Sequence, residues 1–250
     1  MELENFKYLY FLHIPKTSGV KMQHQLLDAA ESPNSINHPK VYYPGHFEFV
    51  FDTEIGKTHN IISGHFARNP IETLSNVATF TIVRDPVQQY ISVAKYAAMF
   101  RGEEFTEEFM MPFLTGESEM YSYFEGMSGC SNPQSSFISS KLSTLEYDLN
   151  GKDRTVFVKK PESFEDVRRH LSGMIIGVME ERNELIQKVN ILLKKMFNIS
   201  IRKDESVVNA TPPVNFKISK EHMKLILDRT ELDRELYAKV LENRGSLFFP

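Results

Sequence analysis

An apolar run, Tyr8-Leu-Tyr-Phe-Leu12, passes directly into His13-Ile-Pro-Lys-Thr-Ser-Gly19, and the residues from Val20 to Ala30 then carry apolar positions at helical spacing. That order reads as a buried strand, a tight loop and a helix. Such a loop aims consecutive backbone N–H groups and the positive end of the helix dipole at one point, where an anion belongs. Lys16 adds a full positive charge. The loop is not a Walker A sequence, which places its lysine after the final glycine of Gly-x-x-x-x-Gly-Lys-Ser/Thr; Lys16 precedes Gly19. The competing reading is a surface turn with a solvated lysine.

A second segment repeats the pattern. Val77-Ala-Thr-Phe-Thr-Ile-Val83 reads as another buried strand, and Arg84-Asp85-Pro86 ends it, with Asp85 suited to the N-cap and Pro86 to the first helical position. In the helix expected from there, Val87, Tyr90, Ile91 and Ala94 share a face, while Ser92 lies on another side. An arginine at a strand end and a serine on the next helix are able to grip one phosphate together, the guanidinium offering a planar fork of donors and the hydroxyl one more. Alone, Arg-Asp-Pro is equally a capped helix with a surface ion pair.

Taken together and in this order, the two motifs resemble those of sulfotransferases that use 3′-phosphoadenosine 5′-phosphosulfate, in particular the carbohydrate 2-O-sulfotransferase group and its bacterial relatives. The resemblance implies a three-layer, P-loop-like α/β fold with a central parallel sheet and helices on both faces. It also implies that Lys16, Thr17, Ser18, Gly19 and Val20 surround the 5′-phosphosulfate, and that Arg84 and Ser92 hold the 3′-phosphate. Ile62-Ser-Gly-His65-Phe66 is similar to the family's Gly-His segment, whose histidine is the proposed general base. Asn132-Pro-Gln134 resembles a substrate-side element, Ile176-Gly-Val-Met-Glu180 a strand ending in glutamate, and Leu232-Asp-Arg-Glu-Leu-Tyr237 the terminal helix. The loop departs from the family where Ser18 replaces a second glycine and Val20 a hydroxyl residue.

The chemistry also follows from the residues. Sulfuryl transfer to an oxygen requires stabilisation of a leaving phosphate and removal of the acceptor proton. Lys16 fits the first task. His65 fits the second, because an ordinary imidazole is mostly neutral at physiological pH. The chain has eight histidines. His65 is preferred because it follows the Asn60-Ile-Ile62 strand, where a loop opens towards a cleft. His13 braces the cradle it precedes, and His46, in Pro44-Gly45-His46, is the second candidate base and a substrate-side residue. Asn132 and Gln134 are read either as partners of an acceptor hydroxyl or as a turn around Pro133. No metal is required by this chemistry.

At 250 residues, 41% of them hydrophobic, the chain suits one domain, residues 1–250. A net charge of −4 offers no footprint for nucleic acid and argues for a small or weakly charged acceptor over a long sulfated polysaccharide. A local patch of Lys152, Arg154, Lys159 and Lys160 reads as a solvated strand edge. The single cysteine, Cys130, permits no intramolecular disulfide. With no membrane-length apolar run and no signal peptide ahead of the first strand, the expectation is a cytoplasmic, bacterial-type enzyme, with a trimmed catalytic domain as the alternative.

Strands are expected near 7–13, 60–63, 77–83, 154–159 and 174–179, each followed by helix signals, which favours parallel pairing. Residues 99–150 break the rhythm. They are rich in Phe, Met, Tyr, Ser and Gly, and are read as an acceptor-side lid, with plain packing as the alternative. Leu185, Ile186, Val189, Leu192, Leu193 and Met196 fit a long amphipathic helix. Asn209-Ala-Thr-Pro-Pro213 is a loop that the resemblance brings near the nucleotide. Leu232, Leu236, Val240 and Leu241 make a last helix, with Thr230 as its N-cap.

Three functions therefore compete. The first is a sulfotransferase acting on a hydroxyl of a carbohydrate or small molecule and releasing adenosine 3′,5′-bisphosphate. The second is a P-loop-type kinase or phosphotransferase, for which Asp85 is the available metal-binding carboxylate. The third is a non-catalytic nucleotide-binding relative, suggested by Ser18 and Val20.

Overall fold

The structure is a computed structural model that describes residues 5–35, 39–42, 58–64, 74–115, 131–139, 161–202 and 218–250. Its centre is an all-parallel, five-stranded sheet in the order β2-β3-β1-β4-β5. The strands are β1 (Tyr8–Leu12), β2 (Val41–Tyr42), β3 (Ile61–Gly64), β4 (Val77–Val83) and β5 (Ile175–Val178). Four of them coincide with apolar runs in the sequence, because a strand covered on both faces has no polar alternation to disguise it. β2 was not anticipated. It is two residues long and continues a connection in which the Lys40 carbonyl accepts N–H bonds from Asn60 and Ile61 at 3.0 and 3.2 Å. The strand expected at 154–159 and the basic patch around it lie outside the described residues.

Alternate residues of each strand enter separate apolar clusters. Leu9, Phe11, Ile61, Phe80, Ile82 and Ile175 meet Met22 and Leu26 of α1 (Gly19–Ala30) together with Leu185, Ile186, Val189 and Leu192 of α6 (Arg182–Phe197). Tyr10, Leu12, Ile62, Val83, Ile176 and Val178 face the opposite way. They pack with α2 (Pro86–Arg101), α3 (Glu107–Thr115), α4 (Pro133–Ser139), α5 (Phe164–Leu171), α7 (Lys220–Arg229) and α8 (Glu231–Glu242). Side chains at successive strand positions point to opposite faces, so the two clusters follow from the period of two.

The interval 99–150 contributes to that second cluster. Met110, Phe113 and Leu114 of α3 and Phe137 and Ile138 of α4 are buried in it, so these apolar residues are core packing. Residues 116–130 and 140–150, where the remainder of the expected lid falls, lie outside the described residues. Cys130 does too.

The second helix starts as its sequence dictates: Asp85 accepts the Gln88 N–H at 2.9 Å and Pro86 occupies the first turn. β5 stops at Val178, and Met179–Glu181 form a 3₁₀ turn that carries Glu180 out of the sheet. Thr230 departs from its expected role. It stands before α8, but its hydroxyl donates to the Ile226 carbonyl at 2.8 Å and closes α7, leaving the start of α8 to a residue from elsewhere in the chain. No helix among the described residues is long and apolar enough to cross a membrane.

Candidate functional site

The chain fills one side of β1 with β2 and β3, then crosses to the other with β4 and β5. The boundary between β1 and β4 is therefore the switch point of the sheet, and ligands of open parallel sheets bind beyond the strands' carboxyl ends at such points. Both sequence motifs lie there, one after Leu12 and the other after Val83.

The first motif bends sharply. Lys16 and Ser18 adopt left-handed backbone conformations, with φ of 65° and 71°. Thr17, fully buried, donates its hydroxyl to the Ile14 carbonyl at 2.8 Å and so ties the bend from inside. The Thr17 hydroxyl proton is thereby committed, and what this residue has left for an anion is its backbone N–H. Ser18 precedes α1 without a side-chain cap bond, and the helix has no acidic residue in its first turn. Its terminal N–H groups, which an α-helix cannot satisfy internally, keep their dipole uncompensated by charge.

Gly19 is required by contact. A Cβ there would stand 1.8 Å from Cδ2 of His13. The His13 imidazole lies directly on that glycine and stacks on Phe11 with centroids 5.8 Å apart, so it braces the loop from beneath, as the sequence suggested.

Arg84 joins the second motif to the first. Its Nη1 donates to the Lys16 carbonyl at 3.3 Å, and its Nε is buried with no hydrogen-bond partner among the described residues. Gln89 of α2 adds a parallel tie, Nε2 donating to the Pro15 carbonyl at 3.1 Å, and Thr81 of β4 donates to the Leu12 carbonyl at 2.8 Å. Ser92 is buried on the same helix.

Lys16 and Lys95 both stand within electrostatic reach of Arg84. Burial lowers the pKa of Lys16, and the neighbouring Arg84 lowers it further. Lys95 is lowered by the same two causes in the same order. Arg84 itself is lowered by burial, against the opposing pull of Glu180 and Asp85. The Lys16 ammonium rests 4.5 Å from the centre of the Tyr96 ring.

Asn132 and Gln134, expected on the substrate side, have other partners. The Gln134 amide is fully buried and holds both backbone groups of Arg84: Oε1 accepts its N–H and Nε2 donates to its carbonyl, each at 2.8 Å. Asn132 Oδ1 accepts the N–H groups of Leu232 and Asp233 at 2.8 and 3.2 Å, which supplies the cap that Thr230 does not. Glu180 accepts from the Asp85 N–H at 3.3 Å and from the Tyr237 hydroxyl at 3.1 Å. Burial, followed by the charge of Glu180, pushes the Tyr237 phenol up to about 12, so it remains a donor.

His65 and His46 lie outside the described residues, as does the loop at 209–213. The strand that leads to His65 is placed: Ser63 Oγ accepts from Gln23 of α1 at 2.7 Å, and the Gly64 carbonyl accepts the His13 N–H at 2.8 Å. Sequence reasoning missed Gln23, Thr81, Gln89 and Asp233. Gln89 carried a faint signal, standing one turn before the buried Val93 on an otherwise apolar helix face. No protein-family model matches the chain, and no curated protein matches it in sequence.

Proposed function

We propose that this chain is a sulfotransferase that uses 3′-phosphoadenosine 5′-phosphosulfate, with a P-loop-like three-layer architecture, and that its acceptor is a hydroxyl of a carbohydrate or small molecule. The observation that carries the proposal is the junction of two cationic motifs at the switch point of the sheet, where Arg84 donates to the carbonyl of Lys16.

The residues fit a doubly phosphorylated nucleotide. A bent loop with an uncapped helix start, a buried arginine Nε without a partner among the described residues, and cations held below their ordinary pKa all gain from an incoming dianion. Bound there, the donor supplies an activated sulfuryl group, whose transfer breaks its bond to the 5′-phosphate and makes one to the acceptor oxygen.

Lys16, Ser18, Gly19 and Val20, with the N–H of Thr17, hold the 5′ end in this reading; Arg84 and Ser92 hold the 3′-phosphate. Lys16 keeps a positive charge where the leaving phosphate gains negative charge, and such fixed charges act most strongly where burial excludes water. His65 accepts the acceptor hydroxyl's proton on an imidazole nitrogen. A phosphotransferase needs a carboxylate for a metal ion, and Asp85 is engaged as the cap of α2, which weighs against that reading. A non-catalytic role is separated by activity.

Calorimetry provides the test. Adenosine 3′,5′-bisphosphate is expected to bind more tightly than ATP with magnesium, and Arg84→Ala to lose at least tenfold in affinity. His65→Ala is expected to lose sulfuryl transfer while binding the nucleotide normally. Preference for ATP, or indifference to Arg84→Ala, overturns the proposal.

A further inference from the structure

Two helices start by capping each other across the body of the molecule. Asn132, immediately before α4, accepts two N–H groups from the first turn of α8. Asp233, in that first turn, accepts the N–H of Gln134 on Oδ2 at 3.0 Å and of Ser135 on Oδ1 at 2.7 Å, which are the first N–H groups of α4. The Asn132 N–H donates to the Arg229 carbonyl at 2.7 Å, and Asn132 takes a left-handed conformation, φ 53°, to make the turn. Asp233 is fully buried and acts here as an acceptor for two donors. Each helix end is thus satisfied by a side chain of the other.

This junction carries Gln134, and Gln134 carries Arg84. The last paired residue of β4 is Val83, opposite Val178, so the backbone of Arg84 has left the ladder. Gln134 takes the place of a neighbouring strand for that one residue, bonding both its N–H and its carbonyl. With both backbone groups fixed, the direction in which the Arg84 side chain leaves the main chain is fixed as well. The guanidinium then meets the carbonyl of Lys16.

We infer that Gln134 is a positioning residue for Arg84, held in place by the mutual caps of Asn132 and Asp233, and that it sets recognition of the nucleotide's 3′-phosphate without touching it. This inference rests on the nucleotide assignment above and goes beyond it by naming what aims the arginine. Gln134 and Asp233 have no exposed surface, and Asn132 Oδ1 is engaged twice.

The test is a ratio of affinities, adenosine 3′,5′-bisphosphate against adenosine 5′-monophosphate, measured by calorimetry on the full chain. Gln134→Met keeps the side-chain length and removes both bonds. It is expected to lower the ratio about tenfold while affinity for the monophosphate changes little, a tenfold change being the scale of one good polar contact. Asp233→Asn, which takes one acceptor from beneath α4, lowers the ratio in the same direction and serves where Gln134→Met does not fold. Val240→Ala, a core truncation in α8, is expected to lower stability and leave the ratio unchanged. A folded Gln134→Met protein with the wild-type ratio overturns the inference, and so does an equal fall in Val240→Ala. If the wild-type protein itself fails to prefer the 3′-phosphorylated nucleotide, the nucleotide assignment falls first, and that result is separate from either variant.

Discussion

Replacing Gly19 by alanine tests whether the loop is shaped by the imidazole beneath it. The new methyl would stand 1.8 Å from Cδ2, 2.1 Å from Nε2 and 2.6 Å from Cγ of His13. Comfortable carbon contacts are about 3.5–4.0 Å, so the ring or the loop must retreat by on the order of 2 Å. The ring is buried and stacked nearly parallel to Phe11, at 10°, which leaves it little room. Overpacking of this kind costs about 1–3 kcal/mol, and a strained rotamer adds about 1 kcal/mol. Gly19 has no positive φ, and alanine favours a helix over glycine by up to about 1 kcal/mol, which offsets part of the loss. The net expectation is destabilisation of about 2 kcal/mol in urea unfolding, or roughly 4–8 °C in Tm for a chain of this size. His13→Ala alone removes the stack and leaves a cavity, for about 2 kcal/mol. In the double variant the methyl enters the space the ring left, so the combined loss falls short of the sum by at least about 1 kcal/mol. Additive losses, or a neutral Gly19→Ala, would show that His13 does not set the loop.

Asp233 is pushed up to about 6 by burial, against the pull of its bonds from Ser135 and Gln134, while the unfolded chain has the ordinary value near 3.8. The folded state keeps its proton where the unfolded state has lost it, so this group's contribution falls as pH rises from about 4 to 6, by on the order of 3 kcal/mol. Asp233→Asn removes that slope, and urea unfolding of both proteins at pH 4.5, 5.5 and 6.5 checks it; parallel curves refute the assignment. Lys16 is held below its ordinary value by burial and by Arg84, and binding of a phosphate opposes both effects and raises it again. Calorimetry at alkaline pH in two buffers of different ionisation enthalpy is expected to record proton uptake that Lys16→Met abolishes, with affinity declining as pH rises. Asp85→Ala leaves the Gln88 N–H without its cap and is expected to cost about 1 kcal/mol of stability by urea titration.

How far these features were readable in the sequence depended on the range of the interaction that makes them. β1, β3, β4 and β5 were visible because apolar residues dominate each of them. Asp85 and Pro86 were visible because a cap and its helix are adjacent. The long helix at 182–197 announced itself by spacing, and its Leu185, Ile186, Val189, Leu192 and Leu193 are buried as that spacing required. By contrast, the partner that caps α8 stands 100 residues away, at Asn132, and local chemistry pointed instead to Thr230, a residue type suited to the role. Thr230 fails because its hydroxyl has a nearer acceptor in the preceding turn. The same distance hid Gln134. A short polar element around a proline gives no sign that its amide will serve as a strand's edge for a residue 50 positions earlier. The bend at Lys16 was legible as a tight loop between a strand and a helix, but the arginine's direct bond to its carbonyl was not, since it depends on β1 and β4 being neighbours.

The acidic balance of the chain and the cationic character of this site are compatible because the nearby carboxylates are immobilised. Glu180 and Asp85 are the acids that act on Arg84. Glu180 is bonded at one oxygen to the Asp85 N–H and at the other to the Tyr237 hydroxyl, while Asp85 is bonded to the start of α2. Neither is hydrogen-bonded to the guanidinium among the described residues; each acts on it only through space. A mobile acid in the same place would fold onto Arg84 as a direct pair and cancel most of its field. Anchored acids only moderate it, and the anchor for Glu180 is the same helix, α8, whose Asp233 supports Gln134. One helix therefore anchors both the residue that aims the arginine and the charge that opposes it.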